Sequence, residues 1–212
     1  MSGSFFQLEL EDGVSVLRLR SNDGTNRLSR ECVIAFQRVL RELRSQRRPL
    51  LVTGNEKFFS AGADLGEIAG LEGTGGYDFS EMGQDLMRDL EEFPAPVYAA
   101  VSGYCMGGGL DLALACRRRI AAPNAVFGHR GAALGLITGW GGTQRLPRLV
   151  GKGIALQMFV AAEKIDAGRA QAIGLVEAVV DDPVAEALKR ITTKFARPDE
   201  PSVARCRESG IP

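Results

Sequence analysis

The sequence predicts an α/β fold, and three observations lead to this prediction. Apolar runs of strand length at residues 49–54 and 97–101 are each followed by a glycine-containing turn and then by a helical pattern. Residues 5–20 alternate apolar and polar positions around Asp12-Gly13, which predicts an antiparallel hairpin. The length of 212 residues is sufficient for one well-buried domain. Strands that alternate with helices are joined by crossover connections, so we expect them to share one core.

The helix at 29–45 is the clearest single element. Ser29 is a favourable N-cap, and the apolar residues after it recur at helical spacing. Four glycines within 70–76 predict a mobile loop, and Pro94 ends the helix that follows it. The other predicted elements, in chain order, are a strand at 49–54, a short helix after 64, a helix at 79–93, a strand at 97–101, a helix at 108–116, strands at 119–122 and 125–127, helices at 153–162 and 167–172, a strand at 175–180 and a helix at 183–196.

Composition and charge exclude several classes of protein. Basic and acidic residues are equal in number, 26 of each, which argues against a general nucleic-acid or membrane-surface binder. The four cysteines are widely spaced without a CxxC pair, which favours reduced thiols in a cytoplasmic protein. We see no apolar run of membrane-spanning length and no signal-peptide pattern.

Known cofactor motifs are also missing from the sequence. The single histidine, His129, excludes a metal site built from several histidines, and we expect no metal. None of the glycine runs completes a dinucleotide-binding or phosphate-loop motif, and there is no HExxH or GxSxG. The sequence therefore gives no support to NAD, ATP or zinc chemistry.

Two strand-to-helix loops carry the residues of chemical interest. The segment 101–111 ends an apolar run in Gly107-Gly108-Gly109, and Asp111 follows. Glycines at a helix start leave N–H groups uncovered, with the positive end of the helix dipole behind them. The segment 58–65 forms a second loop of this kind. Together the loops could supply two N–H donors to a developing oxyanion, with Asp111 as a candidate proton carrier.

The residues in these loops resemble the crotonase superfamily, that is, the enoyl-CoA hydratases and isomerases. The resemblance covers about residues 5–190 and rests on several segments in the family's order and spacing. These segments are 59–65 (FSAGADL), Gly103-Tyr104 with 107–113 (GGGLDLA), Phe127-Gly128, 141–146 (GGTQRL) and 174–176 (GLV).

The resemblance implies a spiral of repeated ββα units and an acyl-CoA substrate. Coenzyme A would enter as part of that substrate, and no further cofactor would be required. It also implies a homotrimer or hexamer with a role in fatty acid metabolism. On this basis we expect an acyl-CoA-binding core at 1–196 and a C-terminal helical region shorter than is usual in the family. The proline- and charge-rich composition from Arg197 predicts an irregular tail at 197–212.

The resemblance also assigns roles to individual residues. The N–H groups of Ala63 and Gly108 would form the oxyanion hole, and Asp111 stands where the family carries its first catalytic acid. Asp64 is expected to cap the helix after its loop. The residues expected to bind the substrate or its CoA part are Asn26, Arg27, Ser60, Ala61, Gly62, Ala63, Asp64, Leu65, Tyr104, Gly107, Gly108 and Gly131.

One position departs from the hydratase pattern. Gly131 stands where hydratases carry a second catalytic glutamate, so the side chain for one proton transfer is missing. On a regular strand His129 would share a face with Gly131, which makes it a candidate replacement. Three functions stay open: a hydratase or isomerase (a lyase or isomerase in reaction class), a thioester-binding protein with little catalysis, and an isomerase, C–C-bond enzyme or hydrolase on a bulkier acyl-CoA.

Overall fold

The computed structural model describes residues 5–195. The strands are β1 (Phe6–Glu11), β2 (Val14–Leu19), β3 (Arg27–Leu28), β4 (Leu50–Thr53), β5 (Phe58–Ser60), β6 (Gly62–Ala63), β7 (Val97–Val101), β8 (Tyr104–Met106), β9 (Arg118–Ala121), β10 (Val126–Gly128), β11 (Lys164–Asp166) and β12 (Ala178–Val179). The α-helices are α1 (Arg30–Arg44), α2 (Leu65–Ala69), α3 (Gly75–Glu91), α4 (Gly108–Ala115), α5 (Gly142–Val150), α6 (Lys152–Val160), α7 (Ala167–Ala172) and α8 (Pro183–Phe195), with a 3-10 turn at Gly131–Leu134.

A six-stranded sheet forms the centre of the described part of the chain. Its order is β1-β2-β4-β7-β9-β12, and every pair is parallel except the β1–β2 hairpin. All residues of β4 and β7 are buried, as expected for parallel strands covered on both faces. Helix α8 packs on one face through Ala187 and Ile191, and the larger apolar core lies on the other.

A smaller sheet of order β11-β10-β8-β5 stands beside the large one. Each of β4, β7 and β9 in the large sheet is followed by a strand of the small sheet, namely β5, β8 and β10. Helices follow each pair, so the chain repeats a ββα unit. The predicted α/β fold with a crotonase-like spiral is therefore confirmed.

Helix α4 runs through the core rather than over its surface. Gly109 and the six residues after it are all buried, in agreement with a segment that is apolar nearly all round. It packs against α3, α5, strands β5 and β8 of the smaller sheet, and the short paired strands β3 and β6. Its N-terminus therefore opens into the interior of the domain, which is where the site lies.

Several boundaries differ from the sequence predictions. Helix α3 begins at Gly75, inside the predicted 70–76 loop, and α5 was not predicted as a helix because Pro147 and four nearby glycines weaken its pattern. The predicted strand at 175–180 pairs only at Ala178–Val179. The predicted irregular tail at 197–212 lies outside the described residues.

Candidate active site

A largely apolar cavity of about 520 Å³ opens at the N-terminus of α4. The described residues that line it are Ala61, Ala63, Leu65, Ile68, Leu71, Gly76, Phe79, Ser80, Met106, Gly107, Gly108, His129, Arg130, Gly131, Leu134, Leu136, Ile137, Thr138, Gly139 and Trp140. No acidic side chain stands among these lining residues. The cavity thus offers apolar walls, backbone amides at one end, and His129 and Arg130 as its titratable side chains.

The two glycine-containing loops meet at this cavity. A β-carbon built on Gly108 would lie 3.2 Å from the amide nitrogen of Ala63, and one built on Gly62 would lie 3.0 Å from the amide nitrogen of Gly108. Gly62 also has φ +95°, a conformation that favours glycine. Side chains at these positions would hold the loops apart, so glycine is what allows the two backbones to approach.

The amide of Gly108 is placed at a helix terminus. Gly108 is the first residue of α4, so its N–H has no acceptor within the helix. The preceding Gly107 adopts φ 51° and ψ −121°, and its own N–H donates to the carbonyl oxygen of Gly128 at 2.9 Å. The turn that starts α4 is therefore anchored to β10, and the positive end of the helix dipole lies at the cavity.

The carboxylate of Asp111 lies behind the cavity wall. Asp111 is 1 % exposed and is not among the residues that line the cavity. The hydroxyl of Thr138 donates to its Oδ2, and Nε2 of His129 lies 3.2 Å from its Oδ1. That second contact is a close approach without hydrogen-bond geometry. His129 and Thr138, the two side chains that contact this carboxylate, both line the cavity.

His129 does not share a strand face with Gly131, and that prediction was wrong. Strand β10 ends at Gly128, and a 3-10 turn begins at Gly131. The reason is local: residues 131–136 close on themselves, with the N–H of Leu136 donating to the carbonyl oxygen of Gly131 at 2.8 Å. His129 instead points back towards Asp111, where its ring packs on Phe159 at a centroid distance of 5.0 Å.

Two close contacts at the site were not predicted from the sequence. A β-carbon on Gly142 would lie 2.1 Å from Oδ1 of Asp111 and 3.0 Å from Nε2 of His129, so the start of α5 closes over the pair. Trp140 packs its ring on Gly108 and donates from Nε1 to the carbonyl oxygen of Phe79 at 3.1 Å. Neither contact has a local sequence signal, since both depend on tertiary packing.

The family model for enoyl-CoA hydratase/isomerase matches residues 9–205 of this chain. The chain therefore belongs to the enoyl-CoA hydratase/isomerase family, within the crotonase superfamily. It is 39 % identical over 176 residues to the crotonyl-CoA hydratase of Syntrophomonas wolfei, covering 82 % of this chain and 68 % of that one. It is 42 % identical over 164 residues to a probable enoyl-CoA hydratase of Bacillus subtilis, covering 76 % and 64 %.

Solved structures agree with this assignment. The enoyl-CoA hydratase of Bacillus anthracis superposes with a TM-score of 0.84 at 35 % identity, covering 91 % of this chain and 77 % of that one. The chain spans about two thirds of the length of the curated relatives described above.

The family-derived site residues divide into two groups in the structure. Ala63, Gly108 and His129 line the cavity, as do Ala61, Leu65, Gly107 and Gly131. Asp111 does not line the cavity. Six of the residues expected to bind substrate do not line it either, namely Asn26, Arg27, Ser60, Gly62, Asp64 and Tyr104.

The contacts of some residues outside the cavity explain their position. Asp64 caps α2 as predicted, accepting from the N–H groups of Gly66 and Glu67. Arg27 pairs with Asp23 at 3.2 Å and approaches Asp64 at 3.8 Å. The arginine and Asp64 therefore brace the loop 60–64 from outside, where both side chains remain partly exposed.

Burial disfavours the reactive thiolate form of the two cysteines near the site. Burial raises the pKa of Cys116 to about 12 and the pKa of Cys105 well above its ordinary range. Both sulfur atoms contact backbone carbonyl oxygens of α4, at 3.5 Å for Cys105 and 3.4 Å for Cys116. Within residues 5–195 we find no cluster of three metal-binding side chains and no helix long and apolar enough to cross a membrane.

Proposed function

We propose that this chain is an acyl-CoA enzyme that stabilises a thioester enolate on the N–H groups of Ala63 and Gly108. In this proposal His129 carries the substrate proton and Asp111 holds His129 from behind. The observation that carries the proposal is the meeting of these groups at one cavity, where the two amide-bearing loops and the side chain of His129 form part of the lining and the buried carboxylate of Asp111 lies behind His129.

Enolate formation places negative charge on the thioester oxygen. Backbone donors fixed before the reaction stabilise that charge without reorganisation, and losing one such donor typically costs about 3–4 kcal/mol of barrier. The amide of Gly108 adds the helix dipole of α4, and the apolar cavity wall strengthens both interactions by excluding water.

His129 is the side chain in the wall whose imidazole can both accept and donate a proton. Its Nε2 faces Asp111, at 3.2 Å from Oδ1. A carboxylate this close to an imidazole stabilises the cation that forms when the imidazole accepts a proton. Asp111 therefore acts on the substrate through His129 rather than directly.

The reaction we favour is hydration of a 2-enoyl-CoA, the activity in the names of the relatives. His129 would take a proton from water as the hydroxyl adds to C3, and would return that proton to C2 of the enolate. One carrier then serves both transfers, so the missing carboxylate at Gly131 is not required.

Isomerisation is the second candidate, and Gly131 favours it. One base would remove a proton from C2 of a 3-enoyl-CoA and return it to C4, while the double bond moves to C2–C3 and no water is consumed. A β-carbon on Gly131 would lie 2.7 Å from the carbonyl oxygen of Leu136, so this position has no room for a second acid without a shift of the loop.

Deuterium exchange tests enolate formation apart from the overall reaction. A saturated thioester such as butyryl-CoA can neither hydrate nor isomerise, so in D₂O it should gain deuterium only at C2. We expect exchange with the unmodified chain and a loss of about 10²-fold or more in His129→Gln, with thioester binding kept. Binding without exchange would instead favour the thioester-binding protein.

A panel of CoA thioesters followed by mass spectrometry then separates the reactions. Crotonyl-CoA should gain the mass of one water, whereas a 3-enoyl-CoA that changes its double bond without a change in mass indicates an isomerase. Turnover restricted to aromatic or branched thioesters would favour the bulkier-substrate alternative.

The assembly, the cofactor requirement and the location of the protein stay predictions. A homotrimer or hexamer should be visible by light scattering on the purified chain. Activity that survives dialysis against EDTA would agree with the absence of a required metal. A cytoplasmic location can be checked by cell fractionation.

A further inference from the structure

We propose that Ser60 is a positioning residue that sets the direction of the Ala63 amide and ties it to helix α4. This inference rests on the proposed function, because it concerns the donor that the Ala63 loop supplies. Ser60 is fully buried and does not line the cavity, so it cannot bind a substrate itself.

The hydroxyl of Ser60 both donates and accepts a hydrogen bond. It donates to the backbone carbonyl oxygen of Asn26 at 2.7 Å and accepts from the N–H of Gly62 at 3.1 Å. A serine hydroxyl has one proton, so the bond to Asn26 fixes which side of the oxygen faces Gly62. The peptide between residues 61 and 62 is thereby held, and it directly precedes the peptide that carries the Ala63 amide.

Ser60 also contacts the other donor's helix. A β-carbon on Gly109 would lie 2.6 Å from the carbonyl oxygen of Ser60 and 2.7 Å from its Cβ. Gly109 directly follows Gly108 in α4. One buried residue therefore packs against the helix that carries the Gly108 amide and hydrogen-bonds the loop that carries the Ala63 amide.

Asn26 supplies a rigid anchor for this arrangement. Its Nδ2 donates to the carbonyl oxygens of Phe58 and Phe59 at 2.9 and 3.2 Å, and its N–H donates to Oγ of Ser21 at 2.8 Å. Its φ of +52° lies in the left-handed region, which asparagine tolerates better than most residues. The carbonyl oxygen of Asn26, which accepts the Ser60 proton, is consequently fixed relative to β5, the strand that ends at Ser60.

The test compares Ser60→Ala with Thr53→Val. Thr53 is also buried, and its hydroxyl donates to the carbonyl oxygen of Ala100 at 2.9 Å, in the sheet and outside the cavity lining. Both variants lose one buried hydroxyl. Ser60→Cys, which keeps a weak donor of similar size, provides a second variant that should fold if Ser60→Ala does not.

We expect kcat for deuterium exchange to fall about 10- to 100-fold in Ser60→Ala, with a smaller fall in Ser60→Cys and KM little changed. The infrared band of a ¹³C-labelled thioester carbonyl gives an independent readout. Bound to the unmodified chain it should shift to lower frequency, because both donors polarise it, and the shift should shrink in Ser60→Ala but not in Thr53→Val.

The possible failures are distinguishable. If the unmodified chain binds the thioester without exchange or a carbonyl shift, the proposed function is wrong. If the unmodified chain shows both and a folded Ser60→Ala retains both, the function stands and the role of Ser60 is overturned. Equal losses in Ser60→Ala and Thr53→Val would also overturn it, since they would reflect general destabilisation.

Discussion

Asp111→Asn removes one negative charge from the buried pair while keeping the size of the side chain. In the unmodified chain the hydroxyl of Thr138 donates to Oδ2 of Asp111, and the side-chain amide of the variant can keep that bond through its carbonyl oxygen. Its NH₂ group then faces Nε2 of His129, where Oδ1 lies 3.2 Å away in the unmodified chain. We expect the fold to survive and the proton transfer to fail.

The size of the effect follows from this distance. A unit charge pair at 3.2 Å interacts with about 5 kcal/mol at an effective dielectric constant of 20. This is the stabilisation that an imidazolium at His129 would lose, and it corresponds to about 10³- to 10⁴-fold in rate. Because solvent and dipoles near the cavity rearrange in part, we set the expected fall in kcat at about 10³-fold and its lower limit at 10²-fold.

Deuterium exchange into butyryl-CoA at saturating thioester measures this change, and thioester affinity is measured separately by calorimetry. The control is Asp89→Asn, since Asp89 forms a partly exposed ion pair with Arg44 at 3.7 Å and does not line the cavity. We expect the control to exchange at the unmodified rate. Exchange in folded Asp111→Asn within about threefold of the unmodified chain would show that Asp111 does not act through His129.

Three further predictions concern the surroundings of the site. Gly142→Ala places a β-carbon 2.1 Å from Oδ1 of Asp111, so kcat should fall at least about tenfold and urea unfolding should show a loss of about 1–3 kcal/mol. Arg119→Met leaves three buried carbonyl oxygens without their shared donor and should lower the free energy of unfolding by about 3 kcal/mol. Hydrogen bonds from Thr25 and Ser21 lower the pKa of Asp23 to about 2. The contribution of the Asp23 carboxylate to loop order is therefore complete above about pH 4 and is lost as the pH falls through about 2. The amide resonance of Thr25 should follow this titration, and Asp23→Asn should abolish the titration.

The two loops of the site were predictable because a few neighbouring residues in the sequence specify each turn. Glycines at 62 and 107–109 and the capping Asp64 mark two strand-to-helix turns whatever the rest of the fold does. The buried strands at 50–53 and 97–101 were predictable for the same reason, since a short apolar run of this kind is typical of a parallel sheet.

The side chains around Asp111 were not predictable in the same way. His129 and Thr138 reach it from a segment that leaves β10 and turns back, and its path depends on the 3-10 turn at Gly131–Leu134. Extending the strand through His129 placed its side chain on the wrong neighbour. The apolar pattern of the strand gives no indication that the chain leaves the sheet after Gly128 and turns at 131–136.

The packing of Trp140 explains why α3 and α4 each carry a glycine where they face its ring. A β-carbon on Gly83 of α3 would lie 2.0 Å from Nε1 of Trp140, and one on Gly108 of α4 would lie 2.7 Å from Cε3 and Cζ3 of the same ring. The indole thus occupies the space of two side chains and sets the spacing between the helices. Since Gly108 supplies an amide to the proposed oxyanion hole, the position of that donor depends on the ring packed against it. Trp140 also follows Thr138 and Gly139 directly in the sequence, and the hydroxyl of Thr138 donates to Asp111, which contacts His129. The loop at 138–140 therefore couples the two halves of the proposed chemistry, the donor that holds the enolate and the pair that moves the proton.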